Sequence, residues 1–157
     1  MEQFSITPAG RGDIPFLGEC RYAMFQTMHP ETDYGGKKEA FLRACLDYFS
    51  EHSGDARLFS VCARSAAGPV GCGVIMFERR PPHLANFDNQ FGYILNIFVL
   101  PEYRRRGLAT RMMTVLQEEA VRRGVWRIGL MASEEGQNVY RRMGYVVKEN
   151  YMEIKTP

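Results

Sequence analysis

The stretch "LPEYRRRGLAT", residues 100–110, decides how this chain reads. Before it runs an apolar segment, "FGYILNIFVL" (91–100), which Pro101 stops. After it, "GLATRMMTVLQEEAVRRG" (107–124) carries Leu108, Met112, Val115 and Leu116 at helical spacing. The order is therefore strand, basic turn, amphipathic helix. A helix start already carries partial positive charge, so cations there are mildly unfavourable. Arg104, Arg105 and Arg106 are either a solvated turn or the partners of something anionic. The spacing R-x-x-G-x-A, carried by Arg104, Gly107 and Ala109, favours the second reading. Small residues let a ligand approach the backbone, and the amides of about 105–110 point out of the helix start. That is a cradle for a pyrophosphate.

Outward from this unit, "WRIGLMA" (126–132) is the next strand, so 91–100, 107–124 and 126–132 form a crossover with two parallel, neighbouring strands. Upstream, "QFSITPA" (3–9) reads as a strand. Asp13 is placed to cap a helix over about 14–28, and a second helix runs to about 52. "RLFSVCAR" (57–64) and "VGCGVIMFE" (70–78), joined by the turn "SAAGP", form a hairpin. Downstream, a short helix covers about 136–143, and "YVVKENYMEIK" (145–155) holds one or two closing strands. The expected fold is α/β: a mixed, mostly antiparallel sheet of six to seven strands with helices on both faces, in one domain over 1–157.

Composition narrows the function. Lys plus Arg number 20 and Asp plus Glu 18, a net charge of +2 that is too balanced for a general nucleic-acid binder. Most of the basic residues are arginine, whose fork grips two phosphate oxygens at once. Cys20, Cys45, Cys62 and Cys72 form no C-x-x-C pair and sit in apolar patterns, which suits buried free thiols in a reducing cytoplasm. His29, His52 and His83 are dispersed, so no metal is expected. No apolar run is long enough to cross a bilayer. A dinucleotide fold expects G-x-G-x-x-G after the first strand, and "TPAGRGD" (7–13) lacks that spacing.

Three stretches together resemble the GNAT superfamily of acyl-CoA-dependent N-acyltransferases. "IFVLPEYRRRGLATRMM" (97–113) looks like its CoA-binding motif. "VGCGVIMF" (70–77) is similar to its preceding core strand, and "GQNVYRRMGYV" (136–146) to its second CoA-side motif. The resemblance covers most of the chain and implies a parallel strand pair splayed after a bulge. Pantetheine would lie in the gap against the backbone of Ile97, Phe98 and Val99. The pyrophosphate would rest on the loop of Arg104, Arg105, Arg106, Gly107, Leu108, Ala109 and Thr110, with Asn138 also touching CoA. Tyr140 matches the general acid that protonates the departing thiolate.

The implied activity is N-acetyl transfer from acetyl-CoA to a primary amine, by direct attack through a tetrahedral intermediate. The implied partners are acetyl-CoA and an amine of unknown identity, without nucleic acid or membrane. The resemblance leaves a homodimer open. The chain departs from the pattern in the strand before the loop. Many relatives carry a glutamate there, whereas "YILNIFV" has Asn96, which is not a base. Glu134 is the first carboxylate candidate for that role, His29 a second, and a water relay a third. The missing carboxylate also admits a non-catalytic acyl-CoA-binding module.

Several residues have plainer readings. Ser133 caps the next helix, Arg122 and Arg123 sit at a helix end where cations are favoured, and Trp126 is core. "RYAMF" (21–25) and "YFSEH" (48–52) are candidates for lining the acceptor pocket.

Overall fold

Alternating apolar residues in the first half of the chain need a ladder to bury their backbone polar groups, and they find it in one sheet. A computed structural model describes residues 3–156. In chain order the elements are β1 (Ser5–Pro8), α1 (Ile14–Met28), α2 (Lys38–Glu51), β2 (Leu58–Ser65), β3 (Gly68–Arg79), β4 (Gln90–Val99), α3 (Leu108–Arg122), β5 (Arg127–Leu130) and α4 (Glu134–Arg142). The strands lie in the order β1-β2-β3-β4-β5. The first three pairings are antiparallel and β4 with β5 is parallel.

Each face of the sheet is covered by helix. The stripe Leu108, Met112, Met113, Leu116 and Ala120 buries α3 against Val61, Ala63, Ile75 and Phe77. Full burial of a side chain such as Leu116 contributes about 1.5–3 kcal/mol. On the opposite face Ile14, Leu17 and Cys20 of α1 and Cys45 and Phe49 of α2 pack on Cys62, Cys72, Val74 and Phe98. All four cysteines are buried and unbridged. Asp13 stands at the start of α1, but its carboxylate does not cap that helix. It accepts instead from the Gly10 N–H at 2.8 Å and from Arg64 Nη2 at 2.7 Å, tying the entry of α1 to β2.

Besides the Asp13 cap, two expectations are corrected. The sheet has five strands, not six to seven, because 145–155 forms no strand. Its alternation is strand-like, but a strand exists only through a partner ladder, and this segment makes none. Val146, Val147, Tyr151, Met152 and Ile154 are all exposed as a result. Trp126 is also not core: it is 37% exposed, and its indole N–H donates to Asn89 Oδ1 at 3.0 Å.

Candidate active site

The parallel pair opens partway along its length. β4 and β5 are in register from Phe91 opposite Arg127 to Ile94 opposite Leu130, and β5 ends there. The next residue of β4 is where the sheet is irregular. Val74 pairs with Asn96 and Ile75 with Ile94, so Leu95 is the extra residue of a bulge. A bulge bends its strand and steepens the local twist. Beyond it, Asn96 to Val99 keep β3 on one edge and have no strand on the other among the described residues.

Strand alternation sets what that open edge presents. The Leu100 N–H donates to Val70 O at 2.9 Å, which fixes the phase. Asn96 and Phe98 then spend their backbone groups on β3, while Leu95, Ile97 and Val99 turn theirs outward. Two of those outward carbonyls have side-chain donors. Arg21 Nη1 donates to Leu95 O at 3.2 Å, and Arg104 Nε to Val99 O at 3.1 Å. Of the three expected pantetheine residues, Ile97 and Val99 thus face the gap through their backbone. Phe98 faces β3, with its ring buried in the α1 face.

Past Val99 the chain turns through Pro101–Tyr103 into the basic loop. Arg105 holds φ 62° and Gly107 φ 76°, both left-handed. For arginine that backbone is sparsely populated and costs on the order of 1–3 kcal/mol, a strain that clusters at ligand-binding turns. Gly107 bears the second turn without strain, and a Cβ there would meet nothing within 4 Å, so the loop is open to a ligand. No side chain caps α3, and its first backbone bond runs from the Arg111 N–H to Gly107 O. The amides of Leu108, Ala109 and Thr110 precede that bond and have no intrahelical acceptor.

The three arginines differ in their surroundings. Arg104 reaches across to Glu135 of α4 at 3.7 Å, linking the loop to that helix. Arg106 lies over the rings of Phe4 and Tyr103, and Arg105 is exposed. The Phe4 carbonyl also accepts from Arg111, so β1's approach anchors the loop from below.

On α4, Ser133 caps the helix by accepting from the Gly136 N–H at 3.2 Å. Tyr140 is half-buried, its ring 5.9 Å from that of Tyr145. Burial first, and then the neighbouring Tyr145 hydroxyl, push its pKa above the ordinary 10.0, so its proton is retained at neutral pH. Glu134 opens the helix and is exposed. Six residues from Tyr140 along a helix, it lies about 120° round the axis from it. Asn138 is exposed, and its carbonyl accepts from Arg142 Nε at 3.2 Å. His29 is exposed at the end of α1, beside a shallow pocket of ≈ 330 Å³ also lined by Tyr22, Asp33 and Tyr34.

Asn96 is 1% exposed, and Arg21 Nη1 donates to its Oδ1 at 2.7 Å. Its Nδ2 is buried without a hydrogen-bond partner. Arg21 is the residue that the sequence did not single out, although "RYAMF" pointed at its segment. A signal was available: it is the one lysine or arginine in α1, "IPFLGECRYAMFQTM". Among the described residues no group of three or more His, Cys, Asp or Glu side chains could hold a metal ion, and no helix is long and apolar enough to cross a membrane.

A strand pair that splays at a bulge, opening onto an uncapped helix start, is an arrangement found elsewhere. Residues 22–145 match the family described as Acetyltransferase (GNAT) family. A predicted acetyltransferase of Clostridium acetobutylicum, solved with acetyl-CoA, superposes with a TM-score of 0.84 at 25% identity, over 98% of this chain and 96% of that one. A GCN5-related N-acetyltransferase of Ralstonia eutropha superposes with a TM-score of 0.83 at 26% identity, over 99% and 98%. An aminoglycoside N-acetyltransferase in complex with CoA gives a TM-score of 0.74 at 18% identity, over 99% and 96%, and at that identity speaks to the fold alone. With the family matched over most of its length, the chain belongs to the GNAT acetyltransferases.

Proposed function

We propose that this chain transfers an acetyl group from acetyl-CoA to a primary amine. The observation that carries the reading is the continuity of two unfilled surfaces. The open edge of β4, with Ile97 and Val99 turned outward, runs into the uncapped start of α3, with arginines beside it. The first suits the amide-bearing pantetheine arm, and the second suits a pyrophosphate. Arg105 and Arg106 supply charge there, while Arg104 steadies the loop through Val99 and Glu135.

The chemistry follows from groups this chain owns. The acceptor nitrogen forms a bond to the thioester carbonyl carbon, and the carbon–sulfur bond breaks. An outward N–H of Ile97 or Val99 stabilises the oxyanion between those events. Tyr140 gives its proton to the departing thiolate, a contribution of about 10²–10⁴-fold. Its raised pKa makes it a weaker acid but keeps it loaded at neutral pH. The proton of the amine leaves to water. Glu134 and His29 are both open to solvent and serve at most as its first stop.

The test is thermal unfolding with acetyl-CoA, CoA and ATP in parallel, followed by CoA thiol release with an amine panel. Saturation at 100 times Kd adds about 2.7 kcal/mol, on the order of 5–10 °C at this size. Stabilisation by both CoA species and not by ATP, with thiol release on adding an amine, is the expected result. No stabilisation by either CoA species rules the reading out.

A further inference from the structure

Arg21 sits where the gap closes. Its two hydrogen bonds go to Leu95 O, the carbonyl of the bulge, and to Asn96 Oδ1. It reaches them from α1, on the face opposite α3. Both bonds leave from Nη1. Phe25 covers one face of the guanidinium at 5.1 Å from the ring centroid, so further partners must arrive in its plane. Among the described residues no carboxylate lies within ion-pair distance of it. Glu153 and Tyr151 come close enough to be felt at Tyr93, but neither pairs with Arg21.

Asn96 reinforces the case. Its buried amide nitrogen has no hydrogen-bond partner, which is unfavourable. An apolar side chain of similar size would carry no such cost in a face made of Val74, Phe98 and cysteine thiols. The polar side chain is spent on holding Arg21 at one place, with its remaining N–H groups available.

We propose that Arg21 is a specificity-determining residue that receives a carboxylate of the acceptor, so that the substrate is an amine carrying a carboxylate nearby, as in an amino acid. This rests on the acetyltransferase reading. A thioester lying in the gap ends at the bulge, whose carbonyl Arg21 holds, so an amine that meets it there lies beside Arg21. A carboxylate a few bonds from that amine then falls within reach of the guanidinium fork, which binds two carboxylate oxygens in one plane. One guanidinium matches one negative charge, which favours a carboxylate over a phosphate dianion.

The test compares CoA release with free amino acids, their C-terminal amides and aminoalkyl phosphates as probes, in the wild type, R21Q and R21K. The acids are expected to exceed their amides by about tenfold or more in kcat/KM. R21Q should erase that margin by slowing the acids alone, with the KM for acetyl-CoA unchanged. R21K should recover part of it, since lysine keeps the charge but not the fork. Equal use of acids and amides, preference for the phosphates, or an R21Q defect shared by acids and amides overturns the proposal. So does turnover confined to amines without any anionic group. Failure to bind acetyl-CoA sinks the acetyltransferase reading instead, while acetyl-CoA binding with no turnover of any carboxylated amine sinks this proposal alone.

Discussion

On the α3 face of the sheet, Met112, Met113 and Leu116 are 0% exposed in a cluster whose buried members are all apolar. On the α1 face a polar Asn96 is buried at 1% exposure, four thiols lie in the core, and the aromatic rings of Tyr22, Phe25 and Phe41 are only half-covered. Under the proposed function the two faces do different work. The first holds the loop proposed to take a diphosphate, the same for every substrate, and is packed for rigidity. The second, proposed to meet the acceptor, keeps a buried polar side chain where pure packing would remove it. On that reading stability is concentrated on one face and selectivity on the other.

The largest expected effect sharpens that contrast directly. Leu116→Ala should lose about 2–5 kcal/mol, from transfer and cavity terms together, whereas Phe41→Ala on the α1 face should lose about 1–2 kcal/mol. Urea unfolding of both variants measures the difference, and equal losses would break the asymmetry. Next comes Tyr140→Phe, for which kcat should fall about 100-fold, equivalent to about 2.7 kcal/mol, with the KM for acetyl-CoA nearly unchanged. Comparable turnover by that variant across pH removes Tyr140 from the acid role.

Gly107→Ala should cost about 1–2 kcal/mol of stability, because its left-handed backbone strains any residue with a Cβ. It should also weaken CoA binding while leaving Arg21-dependent selectivity intact. A change in selectivity would show that the two faces are not separable.

The smallest effect is on pH dependence. A hydrogen bond from Arg122 holds the Glu119 carboxyl down, burial opposes it, and Arg123 adds to the lowering, so its pKa falls from the ordinary 4.5 to about 2. A depressed carboxylate stabilises the fold above its unfolded pKa and loses that contribution as pH falls through the folded value. Unfolding free energy should therefore decline between pH 4.5 and about 2, by about 0.5–1 kcal/mol from this group. Glu119→Gln should flatten the slope in that window, and an unchanged slope in the variant would assign the acid sensitivity elsewhere.

The legible parts of this molecule were the local ones. Apolar periodicity and Pro101 marked β4, the turn and α3, and Arg104-x-x-Gly107-x-Ala109 marked the loop, because each signal lies within a dozen residues. The bulge at Leu95 carries no glycine or proline to announce it; it exists only in the register between β3 and β4. Arg21 was missed for the same reason, since its partner Asn96 is 75 residues away. The closing strands over 145–155 were read from an alternation that is real, but pairing is a property of two segments and the sequence supplies one. Trp126 starts a strand and so reads as core, but its N–H has a polar partner at the rim.

The four buried, unbridged cysteines described with the fold have a use of their own. Burial first, then the charge of Asp13 against a smaller opposing pull from Arg64, raises the Cys62 thiol to about 12. At pH 8 roughly one such group in 10⁴ is a thiolate, and only the thiolate reacts with an alkylating reagent. Modification must then wait until the sheet and helices part, so the rate at which these sulfurs are labelled is a built-in clock for how often the native molecule opens.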